Sequence, residues 1–153
     1  MNIVDIVIGS LCAWRECRGG GQAGMQSILN VLQNRAAKRG TDVYTEATRH
    51  AQFSSMTILG DSQTVQWPNP ANVADYEAWE IALNLAEAAA NGGLSDLTGG
   101  STLYYAPHGL TAQETSPTPY TLPDGSQVPF PKGWNPAAVH YVCNVAAQLF
   151  FTE

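Results

Sequence analysis

The run WRECRGGGQAGMQSILNVLQNR, residues 14–35, joins the end of one apolar helix to nearly the whole of a second. Upstream of it, Ile3, Val4, Val7, Leu11 and Trp14 recur at helical spacing, which predicts a buried helix over residues 3–17. Downstream, Met25, Ile28, Leu29, Leu32 and Ala36 form one apolar stripe, with Gln26, Asn30, Gln33 and Lys38 off it, which predicts a helix over residues 22–38. Gly19-Gly20-Gly21 breaks the chain between the two, and Gly40 ends the second. Glu16 therefore falls at a corner between helices. One turn back lie Cys12 and Ala13, and long helical side chains lean toward the preceding turn. A carboxyl over such a small apolar floor is poorly solvated as a charge. That favours the neutral form, the state a general acid needs near neutral pH. The competing reading is a structural ion pair with Arg15, Arg18 or Arg35.

Working outward, Asp42 to His50 reads as a short helix and Gln52 to Pro70 as irregular. Asn72 caps a further helix, with Asp75 placed to complete a capping box. Tyr76, Trp79, Leu83, Ala86 and Ala90 form its expected buried face, and Asn91-Gly92-Gly93 stops it. After a turn at Asp96-Leu97-Thr98-Gly99-Gly100, residues 101–106 read as a strand. Residues 107–134 hold six of the nine prolines and show no periodicity, the pattern of a functional loop, with Asp124-Gly125 as a possible hairpin turn. For residues 139–151 the Val, Tyr and Phe content favours strand, with Ala146-Ala147 as a bend, while helix stays open.

A chain of 153 residues suits one domain, spanning 1–153. A formal net charge of −6 and the lack of a basic cluster argue against nucleic acid and against anchoring to anionic lipid. Cys12, Cys17 and Cys143 form no C-x-x-C and read as plain thiols. His50, His108 and His140 are widely separated, with no H-E-x-x-H spacing, so no metal is expected. There is no G-x-S-x-G elbow. The apolar start has no preceding Lys or Arg and no small-residue cleavage site, so it does not read as a signal peptide.

The same run resembles the E-A-R-G-E…G…A-V…V-x-x-N-R signature of SleB-type cell-wall hydrolases, which cleave peptidoglycan in spore-formers, other bacteria and their phages. Gln52-Phe53-Ser54 resembles the family's Q-F-S segment. DLTGGSTLYYAP, from Asp96 to Pro107, resembles its D-P-T-G-G-A-x-x-Y-x-x-P segment. VAAQLFF resembles a closing I-G-x-H-x-F strand more weakly. The three stronger stretches occur in the family's order. With the closing one, they extend from about residue 10 to residue 151. Three departures stand out: Gly20 replaces the signature's second glutamate, Leu97 its proline, and Gln148 its histidine.

The resemblance implies an α+β fold like that of lysozymes and lytic transglycosylases, with a helical core and a small antiparallel sheet beside a glycan groove. It implies Glu16 as the catalytic acid. It makes Arg18, Gln52, Ser54, Thr98, Tyr104 and Tyr105 candidate substrate contacts, with no cofactor and with peptidoglycan glycan strands as the partner of a monomer. Tyr104 and Tyr105 are adjacent on a strand, so only one of them can face the sugar. Trp67 and Trp134 are either stacking platforms or loop anchors. Asp61 and Asp96 are the motif-associated carboxylates, and neither reads as a catalytic partner. A lone acid points to a lytic transglycosylase rather than a two-carboxylate hydrolase. Hydrolysis is the alternative, as is a glycan-binding or virion-associated module without turnover. An enzyme made in the cytoplasm and released to the wall, as a phage endolysin is, fits the start of the sequence.

Overall fold

The computed structural model describes residues 1–153. Helix α1 (Ile3–Cys17) passes through one 3-10 turn at Arg18–Gly20 into α2 (Gly21–Arg39). Asn2 caps α1 and Asp5 returns the bond, completing a capping box. The corner closes tightly. A Cβ on Gly20 or Gly24 would sit 2.7 or 2.6 Å from Cys17 Sγ, so any larger residue at either place forces the Cys17 side chain to shift. Helices α3 (Val43–Thr48), α4 (Ser54–Thr57) and α5 (Val73–Ala90) follow, and α1 packs against all of the others. The one-turn α4 lies in the stretch that reads as irregular.

Three expectations about faces are corrected. Ile3, Val4 and Val7 are exposed at 71%, 49% and 42%, so the start of α1 is not buried on its apolar side. Its inward face there is Asp5, Gly9 and Ser10. The Asp5 carboxylate accepts from the N–H of Tyr44 in α3, and a Cβ on Gly9 would meet Val43 at 3.0 Å. Gln26 and Asn30 of α2 are buried, because their side chains bind the Ser95–Leu97 backbone. On α5 the buried face is Ala82, Leu85, Ala86 and Ala89, while Tyr76, Leu83 and Ala90 are half-buried. The alanines bring α5 close enough for Ser10 Oγ to donate to the Ala82 carbonyl at 3.3 Å, an approach larger residues on that face would prevent.

Residues 139–151 prove to be a strand hairpin. Strands β1 (Leu103–Tyr105), β4 (His140–Val145) and β5 (Gln148–Thr152) form an antiparallel sheet in the order β1-β5-β4. Ala146 and Ala147 make the β4–β5 turn with left-handed φ of 48° and 64°. Alternation along the central strand splits the interior. Phe150 pairs with Tyr104 and joins the helical core, which includes Trp14, Met25, Leu29 and Phe53. Leu149 and Phe151 face the other way and pack with Tyr105, Phe130 and Val139.

The proline-rich segment covers this second, aromatic cluster. Within it β2 (Tyr120–Thr121) and β3 (Gln127–Val128) form the small hairpin around Asp124-Gly125. Tyr120 stacks on Phe130, and Trp134 meets Tyr105 edge-on. The architecture is α+β, with a helical body and a small antiparallel sheet against one side. No helix is long and apolar enough to cross a membrane.

Candidate active site

Glu16 occupies the last turn of α1 and is half-buried rather than sealed from water. Cys12 and Ala13 beneath it are fully buried, as the helical spacing requires. Burial, and then the Glu16 charge, pushes the Cys12 thiol well up. The carboxyl is held from two sides. Its Oε2 accepts from the Tyr104 hydroxyl at 2.7 Å, and its Oε1 takes a long bond of 3.4 Å from the Ser55 N–H. The Tyr104 ring is fixed by stacking on Phe150, with centroids 5.8 Å apart. Burial and the Glu16 charge push the Tyr104 phenol well above its usual range, so it remains a donor.

The ion-pair reading of Glu16 fails. Arg15 donates to the carbonyls of Ser55 and Gln66. Arg18 bonds Asp75 at 3.2 Å and Gln63 at 2.6 Å, with its guanidinium over Trp14. Arg35 donates to the Thr102 carbonyl at 2.6 Å. Glu16 takes part in none of the ion pairs.

Glu16 is the one residue common to the two largest cavities. The first, about 630 Å³, is lined by Arg18, Gln63 and Asp75 among others. The second, about 370 Å³, is lined by Arg35, Gln52, Ser54, Tyr104 and Trp134 among others. Both volumes are on the scale of sites for small ligands or single sugar units. A carboxyl engaged in no ion pair thus stands where two polar cavities meet.

Among the residues singled out from the sequence, Arg18, Gln52, Ser54 and Tyr104 surround Glu16 as lining groups. Tyr105 does not. It is 7% exposed, lies in the aromatic cluster, and donates to the Pro129 carbonyl at 2.9 Å. Thr98 is fully buried and lines neither cavity. Its hydroxyl donates to Asp96 at 2.7 Å and accepts from Asn34. Asp96 also takes the N–H groups of Thr98 and Gly100, which braces this turn. Burial raises the Asp96 pKa, but these bonds outweigh it and hold the carboxyl below its usual range. Trp67 is exposed beside Arg15. Trp134 lines the second cavity and also packs on the aromatic cluster.

Sequence reasoning missed three contributors. Ser55 reaches Glu16 through its backbone, which carries no side-chain signal. Asp75, read as a helix-cap partner, enters the first cavity. Both of its oxygens are engaged, by Arg18 and by Asn72. Arg35, read from the sequence only as an ion-pair candidate for Glu16, lines the second cavity instead. No three His, Cys, Asp or Glu side chains converge to form a metal site. No family model, curated protein or solved structure matches the chain.

Proposed function

We propose that the protein is a peptidoglycan-cleaving glycosidase of the lytic transglycosylase type, with a lysozyme-like fold and a SleB-like signature. The observation that carries the reading is the unpaired Glu16 carboxyl at the junction of two polar cavities, with its orientation held by Tyr104. A glycan strand laid through both cavities brings a glycosidic oxygen over Glu16. In its acid form Glu16 donates a proton to that oxygen as the C1–O bond of N-acetylmuramic acid breaks. The Glu16 carboxylate then takes the proton of the C6 hydroxyl, whose oxygen closes on C1 to give the 1,6-anhydro ring. The acid is regenerated and no second carboxylate is needed. Tyr104 holds Oε2 throughout, which keeps one rotamer for both proton transfers. Release to the wall at lysis, as for a phage endolysin, belongs to the same proposal.

Asp75 in the first cavity favours a second reading, in which water rather than the C6 hydroxyl attacks. Its engagement by Arg18 and Asn72 makes it the weaker partner. Digestion of purified peptidoglycan followed by mass spectrometry of the muropeptides separates the two. Anhydro-muramyl ends support transglycosylation, and reducing ends support hydrolysis. Glu16→Gln removes the transferable proton and lowers turnover by about 10²- to 10⁴-fold. Equal rates for wild type and Glu16→Gln would exclude Glu16 as the acid.

A further inference from the structure

Arg35 is a buried cation without a counter-ion. The residue is 5% exposed, and its one hydrogen bond runs from Nε to the neutral Thr102 carbonyl. Its Nη1 is buried and unpartnered. The guanidinium lies 5.0 Å from the centre of the Phe53 ring, which offers only a weak substitute for an anion. The nearby buried carboxylate, Glu46, is taken by Arg39 and Arg49, and Arg35 belongs to no ion pair. An unpaired buried charge is costly to the fold. Arg35 also lines the second cavity, which Glu16, Gln52 and Ser54 share.

We infer that the second cavity is a carboxylate-binding subsite in which Arg35 takes an anionic oxygen of the ligand. The inference deepens the peptidoglycan reading and rests on it for the identity of the ligand. That polymer offers two sources of the same chemistry: the lactyl carboxylate of a muramic residue stripped of its peptide, and a carboxylate of the stem peptide. The guanidinium group suits either, since a planar fork of N–H donors matches a carboxylate. A lactyl carboxylate in this place would make strands already cleaved by an amidase the preferred substrate.

The test uses the full chain, with binding followed by NMR at the Arg35 Nε–H, a signal assigned by its loss in Arg35→Lys. The probes are N-acetylmuramic acid, its lactyl N-methylamide, muramyl dipeptide and D-lactate. Expected is binding of N-acetylmuramic acid or muramyl dipeptide at least about tenfold tighter than the methylamide, with a shift of the Arg35 signal. Whichever of the two binds tighter names the source. Arg35→Lys keeps the charge but loses the fork, and its acid-over-amide preference falls several-fold. A methylamide that binds as tightly as both acids overturns the carboxylate subsite and leaves the glycosidase reading standing. A shift with D-lactate alone, and no binding of any sugar, supports the subsite and counts against peptidoglycan. An Arg35 signal unmoved by every probe, or an undiminished preference in Arg35→Lys, overturns the inference.

Discussion

Two adjacent tyrosines on β1 should respond in opposite ways to loss of a single hydroxyl. Tyr104→Phe removes the 2.7 Å bond to Glu16 and keeps the ring that stacks on Phe150. A hydrogen bond to a charged group contributes about 1.5–3 kcal/mol. If that bond orients Glu16 in the transition state, turnover falls about 10- to 100-fold. Stability changes by less than about 1 kcal/mol, because Glu16 is half-buried and water can replace the lost donor. Tyr105→Phe removes a 2.9 Å bond to the Pro129 carbonyl, inside the aromatic cluster and outside both cavities. It costs about 1 kcal/mol, or about 2–4 °C in Tm, and leaves turnover unchanged. The assays are muropeptide release from purified peptidoglycan well below Tm, and thermal melts of all three proteins. A Tyr104→Phe variant with turnover within about twofold of wild type would refute the positioning role. So would a fall confined to KM, or equal loss of turnover in both variants.

Glu46 is fully buried and accepts from Arg39, Arg49 and Thr41. Burial raises its pKa, but these bonds prevail and lower it from 4.5 to about 2. Since the folded value lies below the unfolded one, the stabilisation is complete above the unfolded value and is lost as pH falls from 4.5 to about 2. With the two arginines partly exposed, it amounts to about 2 kcal/mol. Urea titrations from pH 7 to pH 3 should show a shallower decline for Glu46→Gln, and identical declines would refute the assignment. Gly24→Ala should destabilise by about 1–3 kcal/mol through its clash with Cys17 Sγ, and adding Cys17→Ala should recover part of that loss in a double-mutant cycle. Ala147→Gly should raise stability by up to about 1 kcal/mol, since the residue sits at φ 64°, and a lower Tm would contradict the strain argument.

The helical corner was legible because its signals are local. The apolar spacing of α1 and α2, the glycine break and the Asn72 cap each act within a turn or two, and all appear where expected. Faces were harder to read. Gln26 and Asn30 look like surface residues until the Ser95–Leu97 segment arrives, 65 or more positions later, to take their side-chain bonds. The exposed Ile3, Val4 and Val7 show the converse, since periodicity marks an apolar face without showing what covers it. The proline-rich segment shows no periodicity, and most of its apolar residues roof the aromatic cluster, while Trp134 also lines the second cavity.

By itself the sequence determined that a glutamate stands at the end of a helix over Cys12 and Ala13, because a helix sets the neighbours of its own residues one turn away. It also determined that Tyr104 and Tyr105 face opposite sides, because a strand alternates. Only the tertiary structure decided which tyrosine meets Glu16, since that depends on pairing β1 with β5 so that Tyr104 shares a face with Phe150. It likewise removed Thr98 from the site, brought Asp75 to one side of Glu16, and left Arg35 unpaired on the other. Those outcomes turn on which distant carbonyls and carboxylates come within hydrogen-bond reach. Residue spacing along the chain does not encode that proximity.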